Sequence, residues 1–119
     1  VEPTLAEALR GFAAGAVPRE GRVTLEIAEL VENGNAVPVT VRVDAAPGEV
    51  AELALFNERN PQREVLRVRF GPLAGRAELA TRIRLATSQR LVATAKLRDG
   101  SVWTKPVDVL VTLAACVEG

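Results

Sequence analysis

The chain has 119 residues, with 15 Lys and Arg balanced by 15 Asp and Glu, one Cys and no His; 48% of it is apolar and only 3% aromatic. That length builds one domain around one core, and the charge balance gives no argument for nucleic acid or an anionic membrane surface as a partner. A single Cys excludes an intrachain disulfide and a Cys-only metal site, and without His the usual zinc, copper, haem and serine-hydrolase constellations lack their commonest member. Self-contained catalysis and a resident cofactor are therefore not expected.

Thr4 to Phe12 reads as a short helix. Thr4 and Glu7 have capping-box spacing, and Leu5, Ala8, Leu9 and Phe12 share one apolar face. Gly15 and Pro18 end it. Such a helix can cover the open end of a sandwich or dock onto a partner.

From Arg22 the period changes to two. Val23, Leu25 and Ile27 alternate with polar neighbours, as a half-buried strand does. Asn33-Gly34-Asn35 is a turn with candidates for positive φ. Val37, Val39, Val41 and Val43 then alternate, with Pro38 near the strand start, where a missing donor does least harm. Ala46-Pro47-Gly48-Glu49 turns the chain again. Val50 to Phe56 forms the next strand, and a loop at 57–61 follows it.

Leu66, Val68 and Phe70 alternate with Arg67 and Arg69. Leu79, Thr81, Ile83 and Leu85 alternate with Ala80, Arg82, Arg84 and Ala86, and Leu91, Ala93, Ala95 and Leu97 give a further strand. Asp99-Gly100 is a two-residue hairpin signal. Val102 and Trp103 lead into a closing strand, where Val107, Val109, Val111 and Leu113 share a face opposite Asp108, Leu110 and Thr112.

Seven or eight short strands at this spacing predict an all-β, immunoglobulin-like antiparallel β-sandwich preceded by one helix. Residues 1–20 are the expected helix and linker, 21–113 the sandwich, and 114–119 a flexible C-terminal arm. Val39, Val41, Leu53, Leu55, Val68, Ile83, Leu85, Ala95 and Val109 are the expected core. Leu110, apolar on the face opposite Val109 and Val111, predicts a strand face covered by something other than solvent.

The arm holds the only thiol, Cys116, within Ala114-Ala115-Cys116-Val117-Glu118-Gly119. A thiolate is a good nucleophile and covalent anchor. Cys is also commonly a small buried residue, so Cys116 reads either as a reactive group or as the closing residue of the last strand. Arg82 and Arg84 read either as a solvated strand face or as a partner contact, and Trp103 as an interface or rim aromatic, which with the Leu110 face and the N-terminal helix is a candidate for surface covered by a partner.

The segments at 32–41, Asn60-Pro61 and 81–89, with a closing strand that ends in a cysteine, together resemble SoxY, the sulfur-carrying subunit of bacterial thiosulfate oxidation. Glu32-Asn33-Gly34-Asn35-Ala36-Val37-Pro38-Val39-Thr40-Val41 resembles the family's turn and strand, and Asn60-Pro61 its central loop. Thr81-Arg82-Ile83-Arg84-Leu85-Ala86, followed by Ser88-Gln89, resembles a third segment, and the closing strand ends in a cysteine as the family's does. The resemblance implies that Cys116 carries thiosulfate-derived sulfur adducts without itself catalysing their chemistry. It implies a heterodimer with a SoxZ-like subunit, and SoxAX-, SoxB- and SoxCD-like enzymes holding the haem, metal and oxidising centres. It implies a periplasmic location too, and a chain starting at Val1 without Met is compatible with a removed leader. The other reading of the same residues is a non-catalytic immunoglobulin-like interaction domain with an incidental cysteine.

The tail departs from the family's Gly-Gly-Cys-Gly-Gly. Glycines let a backbone thread a narrow channel in any conformation, whereas Ala114 and Ala115 are slim but stiffer. Val117 is β-branched, and Glu118 sets a carboxylate near an anionic adduct. A thiol at the ordinary pKa of about 8.5 is about 3% thiolate at pH 7, so its reactivity would depend on cations supplied by a partner.

Overall fold

The computed structural model describes residues 1–113. It contains one helix, α1 (Leu5–Ala13), and the strands β1 (Arg19–Glu20), β2 (Val23–Glu26), β3 (Leu30–Val31), β4 (Val37–Val43), β5 (Val50–Asn57), β6 (Glu64–Arg69), β7 (Glu78–Ile83), β8 (Gln89–Leu97) and β9 (Val102–Val111). The larger sheet runs β1-β9-β8-β5-β6, with β3 also on β9; the smaller runs β2-β4-β7. The expected arm, Ala114, Ala115, Cys116, Val117, Glu118 and Gly119, lies outside the described residues.

The period-2 residues meet between the sheets. Val39 and Val41 from β4 pack with Leu53 and Leu55 from β5, Ala95 from β8, Val109 from β9, and Ile83 and Leu85 from β7 and the loop after it, all buried. Val68 departs from the expectation and is only half-buried. The cause is its strand: β6 pairs with β5 alone, so one flank of Val68 has no neighbour. A groove of about 910 Å³ opens on that side of the sandwich, where Leu66 of β6 faces Thr81 and Ile83 of β7.

The opposite side is closed by a segment whose detail the alternation hides. Between Arg19 and Val31 the chain joins the large sheet as β1, crosses to the small sheet as β2, and returns as β3. Both β1 and β3 lie parallel to β9, at Trp103-Thr104 and at Leu110-Val111. Two-residue strands carry no period, so sequence alternation cannot reveal them. β2 pairs with β4 only at residues 40–43. Pro38 therefore sits where β4 is locally an edge on that side, which accommodates its missing N–H.

Two turns are built differently from their sequence signals, and a third, at Ala46 to Glu49, forms as expected. At 33–35 no positive φ is used; instead the Asn35 amide donates to Asn33 Oδ1 at 2.9 Å. The hairpin at Asp99-Gly100 closes through Leu97 N to Ser101 O at 2.9 Å, leaving three loop residues with Gly100 at φ 89. A type I turn followed by a left-handed glycine makes such loops. Gly48 is required twice over: its φ is +85, and a Cβ there would sit 2.5 Å from Pro72 O.

Helix α1 starts with the expected capping box, Thr4 and Glu7 each accepting from the other's backbone N–H. It lies on the outer face of the large sheet, where Phe12 and Ala13 cover Ala54, Phe56 and Val102. Phe12 meets Phe56 edge-on at 6.0 Å. Arg67 and Lys96 stand over the Phe12 ring, at 5.2 and 5.1 Å from its centre. No helix among the described residues is long and apolar enough to cross a membrane.

Candidate functional site at the root of the C-terminal segment

Strand β9 outlasts the neighbour it is laddered to. β8 begins at Gln89, opposite Val109, so the residues beyond Val109 have no strand on that side. The Ser88 hydroxyl takes the place of a ladder: Val111 N–H donates to Ser88 Oγ at 2.8 Å. On the other side, Leu110 N–H donates to Glu29 O at 2.8 Å and Thr112 N–H to Val31 O at 2.9 Å. The Thr112 hydroxyl reaches the carbonyls of Val31 and Glu32 at 3.4 and 3.3 Å.

The expected alternation through Leu113 stops two residues early, since β9 ends at Val111 and Leu113 is 60% exposed. Leu113 is nonetheless held. Its carbonyl accepts from Gly34 N–H at 2.8 Å, and the Gly34 carbonyl accepts from Leu85 N–H at 2.9 Å. Gly34 thus bridges the last described residue to the loop after β7. The segments 29–34 and 85–88 form a collar around residues 110–113.

A buried amide network supports this collar. Asn60 Oδ1 accepts from Ala86 N–H at 2.9 Å and from Gln89 Nε2 at 2.7 Å, while Asn60 Nδ2 donates to Arg84 O at 2.7 Å. Gln89 Oε1 accepts from Arg59 N–H at 2.9 Å, and Asn57 Oδ1 from Asn60 N–H at 2.9 Å. Asn57 and Gln89 are both buried and satisfied, as buried polar groups must be. The Arg63 guanidinium closes the loop from the other side by donating to the carbonyls of Glu58 and Asn60.

Arg82 and Arg84 are exposed and form no ion pair among the described residues, as a solvated strand face does. Trp103 is taken up by its own chain. Arg22 and Arg19 stand 5.0 and 5.8 Å from its ring, its Nε1 donates to Ser101 Oγ at 3.0 Å, and it packs against the core. The helix face is likewise spent on the sheet. Of the surfaces expected to be covered by a partner, Leu110 alone stays open, 63% exposed beside its parallel neighbour Leu30 at 57%.

The roles of Ser88, Gly34, Asn60 and Gln89 at this root were not legible as such. Their only signal was membership in the three segments of resemblance, which lie far apart in the chain and meet here. The sequence matches the family described as SoxY, sulfur oxidation protein SoxY, over residues 9–116.

The chain belongs to the SoxY family. The matched span covers the sandwich and reaches Cys116. Among solved structures, the chain is similar to the sulfur carrier protein SoxY from Chlorobium limicola f thiosulfatophilum, with 25% identity and a TM-score of 0.78 over 92% of this chain and 97% of that one. It also shares its fold with a superoxide reductase (neelaredoxin) from Ignicoccus hospitalis, at 19% identity and a TM-score of 0.68 over 78% and 82% of the two chains. A putative superoxide reductase from Thermotoga maritima is 17% identical, with a TM-score of 0.64 over 84% and 89%. Those two likenesses are of fold alone. No curated protein matches the chain. Membership in the SoxY family makes this chain a sulfur oxidation protein and sets it within the Sox system.

Proposed function

We propose that the chain is a covalent, non-catalytic carrier of sulfur intermediates in thiosulfate oxidation, with Cys116 as the attachment point and 114–119 as the arm that presents it. The observation that carries this reading is the family match running to Cys116, together with a collar that holds the chain three residues before that thiol. In the proposed cycle the Cys116 thiol and thiosulfate lose two electrons and one proton to a SoxAX-like enzyme, joining sulfur to sulfur. Water then cleaves off the sulfonate end as sulfate, with a SoxB-like hydrolase, leaving a persulfide. A SoxCD-like enzyme takes six electrons from the outer sulfur while three waters supply its oxygens, and hydrolysis then releases sulfate and returns the thiol.

The carrier works as a heterodimer with a SoxZ-like subunit in the periplasm. The exposed pair Leu30 and Leu110 supports an apolar contact close to the arm. The arm spans about 20 Å when extended, at about 3.3 Å per residue, and the Cys116 Cα reaches about 10 Å beyond Leu113. Val117 and Glu118 make entry into a partner channel more demanding than glycines do.

Intact-mass analysis after incubation with thiosulfate and the partner enzymes tests the reading. Sulfur-bearing adducts are expected on the natural chain and absent from Cys116→Ser, with the melting temperature unchanged. Replacing Val117-Glu118 by Gly-Gly is expected to preserve or speed loading. A chain with Cys116→Ser that loads as before, or that unfolds, makes the cysteine a structural residue instead. Osmotic-shock fractionation of the source cells tests the compartment.

A further inference from the structure

Resting on the carrier reading, we propose that Ser88 is a positioning residue for sulfur transfer: its hydroxyl, opposite the Val31–Gly34 turn, fixes the point at which the chain leaves the body and so sets the reach and direction of Cys116. The argument starts from what is missing. The ladder between β8 and β9 ends at Gln89–Val109. Without another hold, the chain is free to peel from there, and residues 110–113 are instead held from two sides.

One edge is the short parallel strand β3, which binds the N–H groups of Leu110 and Thr112. The other is Ser88, the only side chain among the described residues that binds Val111 N–H. Ser88 thus holds the strand on the side where backbone partners have run out. Gly34 then holds the Leu113 carbonyl and is itself tied to Leu85, three residues before Ser88. The two halves of the collar are therefore coupled through the 85–88 loop, which Asn60 and Gln89 fix in turn.

The consequence for the thiol is geometric. With the collar closed, Cys116 is the third residue past the last hold among the described residues, and its Cα lies within about 10 Å of Leu113. With the chain freed back to Val109, it is the seventh past that residue, and its Cα ranges up to about 23 Å from Val109. A longer tether spreads the thiol through a much larger volume and lowers its local concentration at any one docking geometry. A short tether with a fixed root presents it in a narrow cone, and preorganisation of this kind favours transfer.

Three measurements on the full-length chain decide the matter, with Ser88→Ala as the disrupting variant and Ser88→Thr, which keeps the hydroxyl, as the rescue. The first is hydrogen exchange at the Val111 amide, expected to speed up about five- to tenfold in Ser88→Ala, as loss of one net hydrogen bond implies, and to return in Ser88→Thr. The second is the line shape of a nitroxide on Cys116, expected to narrow in Ser88→Ala alone. Both need no partner. The third is the rate of sulfur loading by the partner enzymes, expected to fall severalfold in Ser88→Ala and to recover in Ser88→Thr, with melting temperatures of all three chains alike.

Unchanged exchange and line shape in Ser88→Ala overturn the clamp. A loosened root with unchanged loading overturns the positioning role. Failure of the natural chain to load sulfur is a failure of the carrier reading instead, and exchange and line shape still decide the clamp.

Discussion

Asn60 is half-buried and neutral, yet its amide oxygen accepts from Ala86 in the loop after β7 and from Gln89 at the start of β8, and its nitrogen donates to a carbonyl of that loop. Truncating it leaves the half-buried Ala86 N–H without its acceptor and takes one of two acceptors from the buried Gln89 amide nitrogen, which keeps Thr87 O at 3.0 Å. An unpaired buried polar group costs about 1–3 kcal/mol. Asn60→Ala is therefore expected to lower unfolding free energy by about that much in urea titration, and to speed exchange at Ala86. A loss under about 0.5 kcal/mol would mean that water replaces the amide. Asp99 sets a second prediction. The Ser101 hydroxyl, then the Ser101 backbone N–H, hold its carboxyl below the ordinary value of 3.8, and Arg90 does the same for Asp108. A depressed carboxyl stabilises the fold above the unfolded-state pKa, and that contribution is lost as pH falls through the folded one. Asp99→Asn should thus lower the urea midpoint at pH 7, and the two chains should converge at the acid end. A constant offset at every pH would exclude the linkage.

At the scale of elements, α1 shows how a nine-residue helix becomes stable. Alone it is too short to persist in water. The capping box satisfies its first turn, and Phe12, only 2% exposed, fixes it to Phe56. Phe12→Ala removes both the buried ring and the seat for Arg67 and Lys96. It is expected to cost about 3–5 kcal/mol, read as a lower thermal midpoint, while Leu5→Ala at the half-buried start of the helix costs less. Equal losses would show that the helix acts as a lid without an anchor. Strand β9 is the complementary case. β8 pairs with it from Val102 to Val109, while β1 and β3 cover its start and its end on the other side, so its hold on the body weakens toward Leu113.

For the whole molecule, the two long sides of the sandwich differ. The segment from β1 to β3 closes one, while β6 and β7 leave the other open. Leu30 and Leu110 lie exposed on the closed side, next to the collar around residues 110–113. Leu110→Glu should change stability by less than about 0.5 kcal/mol, as exposed substitutions do, and weaken association with a SoxZ-like subunit by about tenfold or more. Undiminished affinity by calorimetry would move the contact to another face.

The sequence by itself determined the sheet class, most of the core and the helix with its cap, because a period of two, a period of 3.6 and a capping box are local patterns. It also pointed to the family, since Glu32 to Val41, Asn60-Pro61 and Thr81 to Gln89 are each read from neighbouring residues. Only the tertiary structure decided that these three segments meet at one place. Ser88 reaches Val111 across 23 positions, and Gly34 is bonded to Leu113, farther off still in sequence. The side-chain type that makes such a bond is an ordinary loop serine or glycine, so no local pattern marks it. Trp103 and the face of α1 are decided in the same way. An apolar or aromatic residue states that it will be covered, by its transfer free energy, but whether its own chain or another covers it depends on where Arg19, Arg22 and Phe56 are brought by the fold.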